Sequence, residues 1–173
     1  TISVTVNPGE IARVEVAPAD RKLRAGDTLP LAASGFDAQG NSLEISPVWS
    51  VDGDIGSIQE DGAFQATRVG EGFVVARMDS ASGVARISVE PGPVDRVDIS
   101  PDSVEIAAGE VARLSATAYD AFDNPTSAAV SWSLSDAAEA GGELTGPGTF
   151  QARTVGSGHI LATAEGVSGR VDR

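Results

Sequence analysis

The chain contains the same sequence pattern twice, and this repeat restricts the possible folds more than any other feature. The tripeptide Ala25-Gly26-Asp27 returns 83 residues later as Ala108-Gly109-Glu110. The same spacing relates six further pairs of residues: Gly9 and Gly92, Arg13 and Arg96, Pro18 and Pro101, Asp37 and Asp120, Asn41 and Asn124, and Trp49 and Trp132. This period is too long for a solenoid unit, so we predict two tandem domains of about 80 residues each.

The spacing between the copies changes in their second half. The segment GAFQA at 62–66 matches GTFQA at 148–152, so the second copy carries three extra residues, which fall in DAAEAGGE at 136–143. We interpret that stretch as a loop. Near the end of the copies we align GRVDR at 169–173 with ARISV at 85–89. This alignment predicts a shorter turn in AEGVSG than in MDSASGVA.

Each copy consists of short alternating runs separated by turn residues, a pattern typical of an antiparallel sandwich. Helical periodicity is absent from the sequence. The first copy has seven runs, at Ile11–Val16, Thr28–Phe36, Val48–Val51, Ile55–Ile58, Ala63–Thr67, Phe73–Met78 and Val84–Val89. We therefore predict an all-β fold of two tandem immunoglobulin-like antiparallel β-sandwiches, with about seven strands each.

Several single residues refine this prediction. Trp49 and Trp132 fall on the third run, where an immunoglobulin-like sandwich places a buried indole. Pro30 cannot donate to a β-ladder, so we expect it to face outward. Gly62 and Gly148 are expected in sharp turns. The expected core neighbours of Trp49 are Leu31, Ala33, Val51, Phe64, Ile87 and Val89.

Composition and charge disfavour several classes of partner. The formal net charge of −13 repels nucleic acid and anionic headgroups, and no apolar run is long enough to span a bilayer. We therefore predict neither nucleic-acid binding nor membrane insertion. The chain has no cysteine, which excludes disulfides, thiolate metal sites and a cysteine nucleophile. If the protein is exported, its signal lies outside this sequence.

Four segments resemble the bacterial immunoglobulin-like domains of group 2, the repeats of invasin- and intimin-type surface proteins. The matching segments are VEVAPADRKLRAGDTLPLAASGFDAQGN, PVWSVD, GAFQATRVGEGFVVA and ARISVEP, each with a counterpart in the second copy. This resemblance implies an extracellular or cell-surface location. It also implies that the domains are chiefly spacers or stalks, although some members bind a receptor or a glycan.

We assign no catalytic, cofactor-binding or metal-binding residues from the sequence. His159 is the single histidine, and it replaces Phe73 of the first copy, so we expect a histidine on a strand surface. Asp52-Gly53-Asp54 and Glu60-Asp61 offer oxygen atoms to calcium, as do Glu90, Asp95 and Asp98 near the junction, but turn chemistry explains Asp-Gly equally well. The pairs Asp37/Asn41 and Asp120/Asn124 are expected to cap a turn through side-chain to backbone bonds.

The first residues repeat the end of the first copy, because VTVNPG at 4–9 matches ISVEPG at 87–92. We therefore place the first domain at 9–91 and the second at 92–173. Residues 1–8 are interpreted as the closing strand of a preceding repeat, or as a donor strand in which residues 1–7 complete a sandwich in a neighbouring subunit. The segment Glu90-Pro91-Gly92-Pro93 predicts a stiff junction, with the domains nearly end to end.

These observations favour a non-enzymatic structural or adhesive segment of a bacterial cell-surface or secreted repeat protein, as a stalk, spacer or filament subunit. Its partners would then be neighbouring repeats or subunits of the same protein. The alternative is a carbohydrate- or receptor-binding accessory module of a secreted adhesin or of a polysaccharide-degrading enzyme. In that module, the loop at 135–148 would bind the glycan or host receptor, because it differs between the copies.

Overall fold

The computed structural model describes residues 2–135 and 141–170, and the elements in this part of the chain are 18 β-strands. The chain divides into two compact units, Thr1–Glu90 (unit 1) and Pro91–Arg173 (unit 2). Both are built from short strands in stacked sheets, so the predicted all-β fold of immunoglobulin-like sandwiches is confirmed. Within the described residues, no helix has the length and apolarity to cross a membrane.

Unit 1 contains ten strands in three sheets. The strands are β1 (Ile11–Ala17), β2 (Asp20–Arg24), β3 (Thr28–Pro30), β4 (Ala32–Asp37), β5 (Ser42–Leu43), β6 (Val48–Asp52), β7 (Gly56–Ile58), β8 (Ala63–Ala66), β9 (Gly70–Met78) and β10 (Ala81–Glu90). The sheet orders are β1-β4-β5, β3-β8-β7 and β2-β10-β9-β6. All pairings are antiparallel except β2 with β10, which is parallel.

The predicted second run is two strands rather than one, because the chain changes sheets at Leu31. β3 pairs with β8, whereas β4 pairs with β1. Between them the Leu31 N–H donates to the Gly62 carbonyl at 2.8 Å, and the Leu31 side chain is buried. Pro30 is exposed, as predicted, and it ends β3 where a further ladder bond would need an N–H.

Gly62 is required at this crossing by its backbone. Its φ of +84° lies in the left-handed region, and a Cβ there would approach the Leu31 carbonyl oxygen to 2.3 Å. Gly148 repeats the arrangement in unit 2, where a Cβ would lie 2.2 Å from the Leu114 oxygen. The predicted turns at both glycines are confirmed.

The core of unit 1 is thin and aliphatic, as expected between two close-packed sheets. Phe64 is fully buried at its centre. All six predicted neighbours of Trp49 belong to this core cluster or pack against it. Trp49 and Trp132 face their cores as predicted, but each indole is half-buried rather than enclosed.

Unit 2 repeats this plan with eight described strands. They are β11 (Arg96–Ser100), β12 (Val111–Arg113), β13 (Ser115–Tyr119), β14 (Ser131–Leu134), β15 (Gly142–Gly146), β16 (Thr149–Ala152), β17 (Ile160–Ala164) and β18 (Val167–Arg170). The sheet orders are β11-β13, β12-β16-β15 and β14-β17-β18. The predicted loop at 136–143 lies largely outside the described residues, and β15 begins within it at Gly142.

The last hairpin corrects our alignment of the two copies. Met78 pairs with Ala81 and Ala164 pairs with Val167, so each hairpin turns through two residues and neither turn is shorter. The first turn residues, Asp79 and Glu165, have φ of 51° and 49°. The spacing of 86 residues therefore continues through the hairpin and relates Gly169 to Gly83 rather than to Ala85. The match is not visible in the sequence, because the turn residues Asp79-Ser80 and Glu165-Gly166 differ. The turn geometry depends on the backbone and not on shared side chains.

The core geometry generates a prediction about two phenylalanines of unit 1. Phe64 has no exposed surface, whereas Phe73 on β9 is 45% exposed. We expect Phe64→Ala to destabilise unit 1 by about 3–5 kcal/mol through the cavity that it leaves. Phe73→Ala is the matched control and should cost less than about 1 kcal/mol. Urea denaturation followed by circular dichroism measures both, and equal losses would contradict the assignment of Phe64 to the core centre.

Candidate functional site: two carboxylate-centred loops

A buried aspartate in each unit accepts hydrogen bonds from two separate parts of the chain. In unit 1 this residue is Asp37, at the end of β4. Its carboxylate accepts the backbone N–H of Gln39 at 3.0 Å and that of Asn41 at 2.8 Å. It also accepts the side-chain amide of Asn41 and the backbone N–H of Gly9, each at 2.8 Å. The carboxylate therefore closes its own loop and fixes the chain that leads into β1.

Asp120 performs the same task in unit 2. Its carboxylate accepts the backbone N–H of Phe122 and that of Asn124, each at 2.9 Å. The Asn124 side-chain amide donates to both carboxylate oxygens, at 3.1 and 2.9 Å. Gly92 donates its N–H at 2.8 Å, as Gly9 does in unit 1. The prediction that these Asp and Asn residues cap a turn is confirmed by these bonds.

These hydrogen bonds change the acidity of both groups. The side-chain amide of Asn41 contributes most, followed by the N–H of Gly9, and the pKa of Asp37 falls to about 2 although burial opposes the shift. For Asp120 burial is the largest influence and raises the pKa. The hydrogen bonds from Asn124, Gly92 and Phe122 together outweigh it, so that the pKa of Asp120 is also lowered. Both aspartates are therefore ionised at neutral pH.

A stacked arginine lies beside each carboxylate-centred loop. The Arg13 guanidinium lies 4.4 Å from the centre of the Phe36 ring, and Arg96 lies 4.4 Å from that of Tyr119. Such cation–π contacts are worth about 0.5–1 kcal/mol at exposed sites. The sequence analysis missed both this contact and the N–H bonds from Gly9 and Gly92. The recurrence of the arginine and glycine pairs was the available signal.

The hydrogen bonds that these carboxylates already accept limit their chemistry. In Asp37 and Asp120 each carboxylate oxygen accepts at least two N–H bonds, so N–H donors already occupy the lone pairs that a metal ion would need. Each carboxylate also lacks an acidic neighbour that would raise its pKa towards neutrality. The two loops are therefore structural clamps within their units.

The structure does not assemble the acidic residues that were considered for calcium. Asp54 pairs with Arg68 at 2.8 Å, and Gly53 between the two aspartates has a φ of +108°, as turn chemistry requires. Asp61 accepts the N–H of Ala63 at 3.0 Å. Within residues 2–135 and 141–170, no three acidic or histidine side chains form a metal-binding group.

The acidic residues near the junction are engaged separately. Glu90 pairs with Lys22 at 2.5 Å, and Asp98 pairs with Arg96 at 3.3 Å. The N–H of Asp95 donates to the Tyr119 carbonyl at 2.8 Å. These contacts lie within single units.

His159 was predicted to lie on the surface of a strand. It is exposed, but it lies one residue before the start of β17. Its N–H donates to the Ser135 hydroxyl at 3.0 Å, and its carbonyl accepts the Ser135 N–H at 2.9 Å. These are backbone contacts that extend the pairing of β14 with β17. They do not place the imidazole in a catalytic arrangement.

The fold and the clamps define the chain as a pair of immunoglobulin-like β-sandwich units. The FdeC adhesin of Escherichia coli has a similar fold, with a TM-score of 0.51 and 20% sequence identity over 94% of this chain and 62% of that chain. The S-layer protein SbsC was also matched, with a TM-score of 0.45 and 16% identity over 95% of this chain and 28% of that chain.

A curated protein is similar in sequence to nearly the whole chain. The chain is 26% identical over 174 aligned positions to Ice-binding protein 1 of Shewanella frigidimarina, which covers 98% of this chain. The chain spans 19% of the length of that protein. No protein-family model matches the sequence.

The clamps generate a prediction of pH dependence. A carboxyl group whose pKa is lower in the folded chain stabilises the fold above its unfolded pKa, about 3.9, and this stabilisation is lost as the pH falls through the folded value. For Asp37 the loss should therefore occur between about pH 4 and pH 2. Asp37→Asn should lower the thermal midpoint of unit 1 by several degrees at pH 7 and flatten its acid dependence.

Asp54→Asn is the matched control, because Asp54 is an exposed aspartate paired only with Arg68 on the surface. Differential scanning calorimetry from pH 7 to pH 2 measures both variants. The clamp would be contradicted if Asp37→Asn kept the wild-type midpoint at pH 7, or if the control fell by the same amount.

Proposed function

We propose that this chain is a non-enzymatic structural or adhesive segment of a bacterial cell-surface or secreted repeat protein. In this proposal it serves as a stalk, spacer or filament subunit, and its domains are bacterial immunoglobulin-like domains of group 2 at 9–91 and 92–173. The likeness to the E. coli adhesin supports this proposal. Neighbouring repeats of the same protein are the proposed partners. We propose neither nucleic acid nor a membrane as a partner, because the net charge of −13 repels phosphate groups and no apolar run in the sequence is long enough to span a bilayer.

The parallel pairing of β2 with β10 is the observation that carries this proposal. The two strands pair from Asp20 and Arg86 to Arg24 and Glu90. When unit 1 is pulled by its two ends, tension is applied to β2 and β10 in opposite directions along their length. All bonds between parallel strands then resist together, instead of opening one at a time as in a hairpin. This geometry suits a segment that transmits force.

The clamps support the same role at the junctions of the chain. Asp37 holds the chain before β1 through Gly9, and Asp120 holds Gly92 at the start of unit 2. Each unit is therefore fastened close to the point where tension reaches it. The oxygen atoms of both carboxylates are occupied by these hydrogen bonds.

Single-molecule force spectroscopy on the 173-residue chain tests the mechanical role. We expect two discrete unfolding events, each releasing roughly 250–300 Å of chain, because an extended residue spans roughly 3.3–3.6 Å. Extension without discrete force peaks would contradict the proposal.

Two proline substitutions test whether the pairing of β2 with β10 resists the applied force. The Arg86 N–H donates to Ala19 and the Ala25 N–H donates to Glu90, each at 2.8 Å. Ala19 and Ala25 therefore both bond to β10, and along a strand every second residue points its N–H to the same side. The N–H of Arg21 thus points towards β10 and that of Lys22 points away from it. Arg21→Pro should therefore lower one unfolding force markedly, whereas Lys22→Pro is the matched control. Equal effects would show that the pairing of β2 with β10 does not resist the applied force.

A carbohydrate- or receptor-binding module is the second candidate, favoured by one exposed aromatic residue. Phe122 lies at the tip of the carboxylate-centred loop of unit 2, is 37% exposed and replaces Gln39 of unit 1. Asp123 beside it pairs with Arg96, which places an aromatic face next to charged hydrogen-bonding groups. The alternative loop at 135–148 lies partly outside the described residues.

Glycan arrays and host-matrix binding assays test this second function. If it holds, Phe122→Ala should abolish reproducible binding. Phe73→Ala, which removes another partly exposed phenylalanine on a strand of unit 1, should preserve it. Absence of binding by the wild-type chain would leave the structural role as the better proposal.

A further inference from the structure

One sheet of unit 1 has an apolar patch on the side that points away from the core. We call this side of the sheet β2-β10-β9-β6 the outer face. Val48 on β6, Phe73 on β9 and Val84 on β10 project from it and are 73%, 45% and 49% exposed. Half-buried Val75 lies between them, because it pairs with Ser50 on one side and with Val84 on the other. Exposed apolar side chains clustered within a polar rim indicate a protein–protein contact.

The sandwich itself does not require this patch. Unit 2 builds the corresponding sheet from β14, β17 and β18. At the equivalent positions of that unit, Ser131 replaces Val48 and His159 replaces Phe73. The apolar residues on the outer face of unit 1 are therefore not a property of the shared fold, and they indicate a contact that unit 1 makes.

The charges of the outer face favour a second copy of this chain as the partner. The whole chain carries a formal charge of −13, which repels another copy. On the outer face, however, four basic side chains balance four acidic ones. Two of the opposite charges on neighbouring strands already pair, Lys22 with Glu90 at 2.5 Å and Arg86 with Glu71 at 2.8 Å. The eight residues are Lys22, Arg24, Arg77 and Arg86, and Asp20, Asp52, Glu71 and Glu90.

The arrangement of these groups along β9 is self-complementary. Phe73 and Arg77 lie two residues to either side of Val75, each about 7 Å from it along the strand. Asp52 of β6 pairs with Phe73 and so lies at the same end. A two-fold axis that crosses the strands at Val75 exchanges the two ends. Arg77 of one copy then lies over Phe73 of the other copy and beside its Asp52.

An arginine over an aromatic ring is a contact that both units already form internally. The guanidinium groups of Arg13 and Arg96 lie 4.4 Å from the ring centres of Phe36 and Tyr119. Burial between two faces strengthens such a contact, because the cation loses competing water. Arg77 and Phe73 therefore supply a specific polar contact beside the apolar one.

We propose that the outer face of unit 1 packs against the outer face of unit 1 in a second copy, around a two-fold axis. Val75 and Val84 lie in the row at the axis and meet their own counterparts. Arg77 of each copy covers Phe73 of the other. This inference rests on the proposed structural role and deepens it, because it names the surface through which two molecules associate side by side.

The size of the outer face determines how strong this contact is. β9 and β10 have nine and ten residues, so they extend about 30 Å, and four neighbouring strands span about 15–20 Å. The resulting area of roughly 500 Å² is smaller than the roughly 800 Å² that each partner buries in a standard interface. We therefore expect a weak dimer that forms at high concentration.

Sedimentation equilibrium of the 173-residue chain over a range of concentrations tests the two-fold contact. The wild-type chain should show a monomer–dimer equilibrium. Val84→Asp and Val84→Lys should each raise its Kd by about tenfold or more, because like charges meet at the axis. An equimolar mixture of these two variants should restore the dimer, because opposite charges then meet. Val111→Asp is the matched control and should leave the Kd unchanged, since Val111 is a 50% exposed valine on β12 of unit 2.

Arg77→Ala tests the contact beside the axis and should also raise the Kd. Arg113→Ala is its control, because Arg113 is an exposed arginine on β12. Circular dichroism checks that each variant is folded. A wild-type chain that stays monomeric up to about 1 mM would overturn the proposal. Dimers of Val84→Asp as strong as wild type, or a mixture that stays monomeric, would do the same.

The two proposals fail separately. The force peaks of unit 1 depend on backbone bonds between β2 and β10 in one molecule and require no second copy. A chain with normal force peaks that stays monomeric would retain the structural role and lose the dimer. Loss of the force peaks in a chain that still dimerises would have the opposite meaning.

Discussion

A buried carboxylate in each unit fixes the chain that leads into the first strand of that unit. Asp37 accepts N–H bonds from its own loop and from Gly9, 28 residues earlier, so a single side chain joins the chain before β1 to the end of β4. Both strands belong to one sheet, and the crossing at Leu31 connects that sheet to β3. Ionisation of Asp37 is therefore coupled to the fold rather than to a reaction, since each N–H bond favours the charged form.

The sequence predicts elements whose side chains alternate, and it fails where backbone bonding alone defines the strand. All seven runs of the first copy correspond to strands, but β2 and β5 were not predicted. β2 has the sequence DRKLR, in which only Leu23 is partly buried, and its pairing with β10 requires no apolar face. The second run was predicted as continuous because Leu29 and Leu31 keep the alternation while the chain changes sheets between them.

The candidate site was predictable in part for a related reason. Asx turns depend on residues two and four positions apart, so Asp37 and Asn41 could be paired from their spacing. The N–H of Gly9 lies far away in sequence and carries no side chain, and only its recurrence as Gly92 indicated a role. The indole of Trp49 was predicted to face inward and does so, but its exposure depends on how closely neighbouring loops cover it, which strand pattern does not determine.

Strand formation at the Gly-x-Gly segments depends on the partner more than on the local sequence. Glycine loses more conformational freedom on ordering than any other residue, so a segment with two glycines needs ladder bonds to remain extended. Gly70 and Gly72 receive them from β10 and begin β9, whereas Gly156 and Gly158 precede β17 outside the described strands.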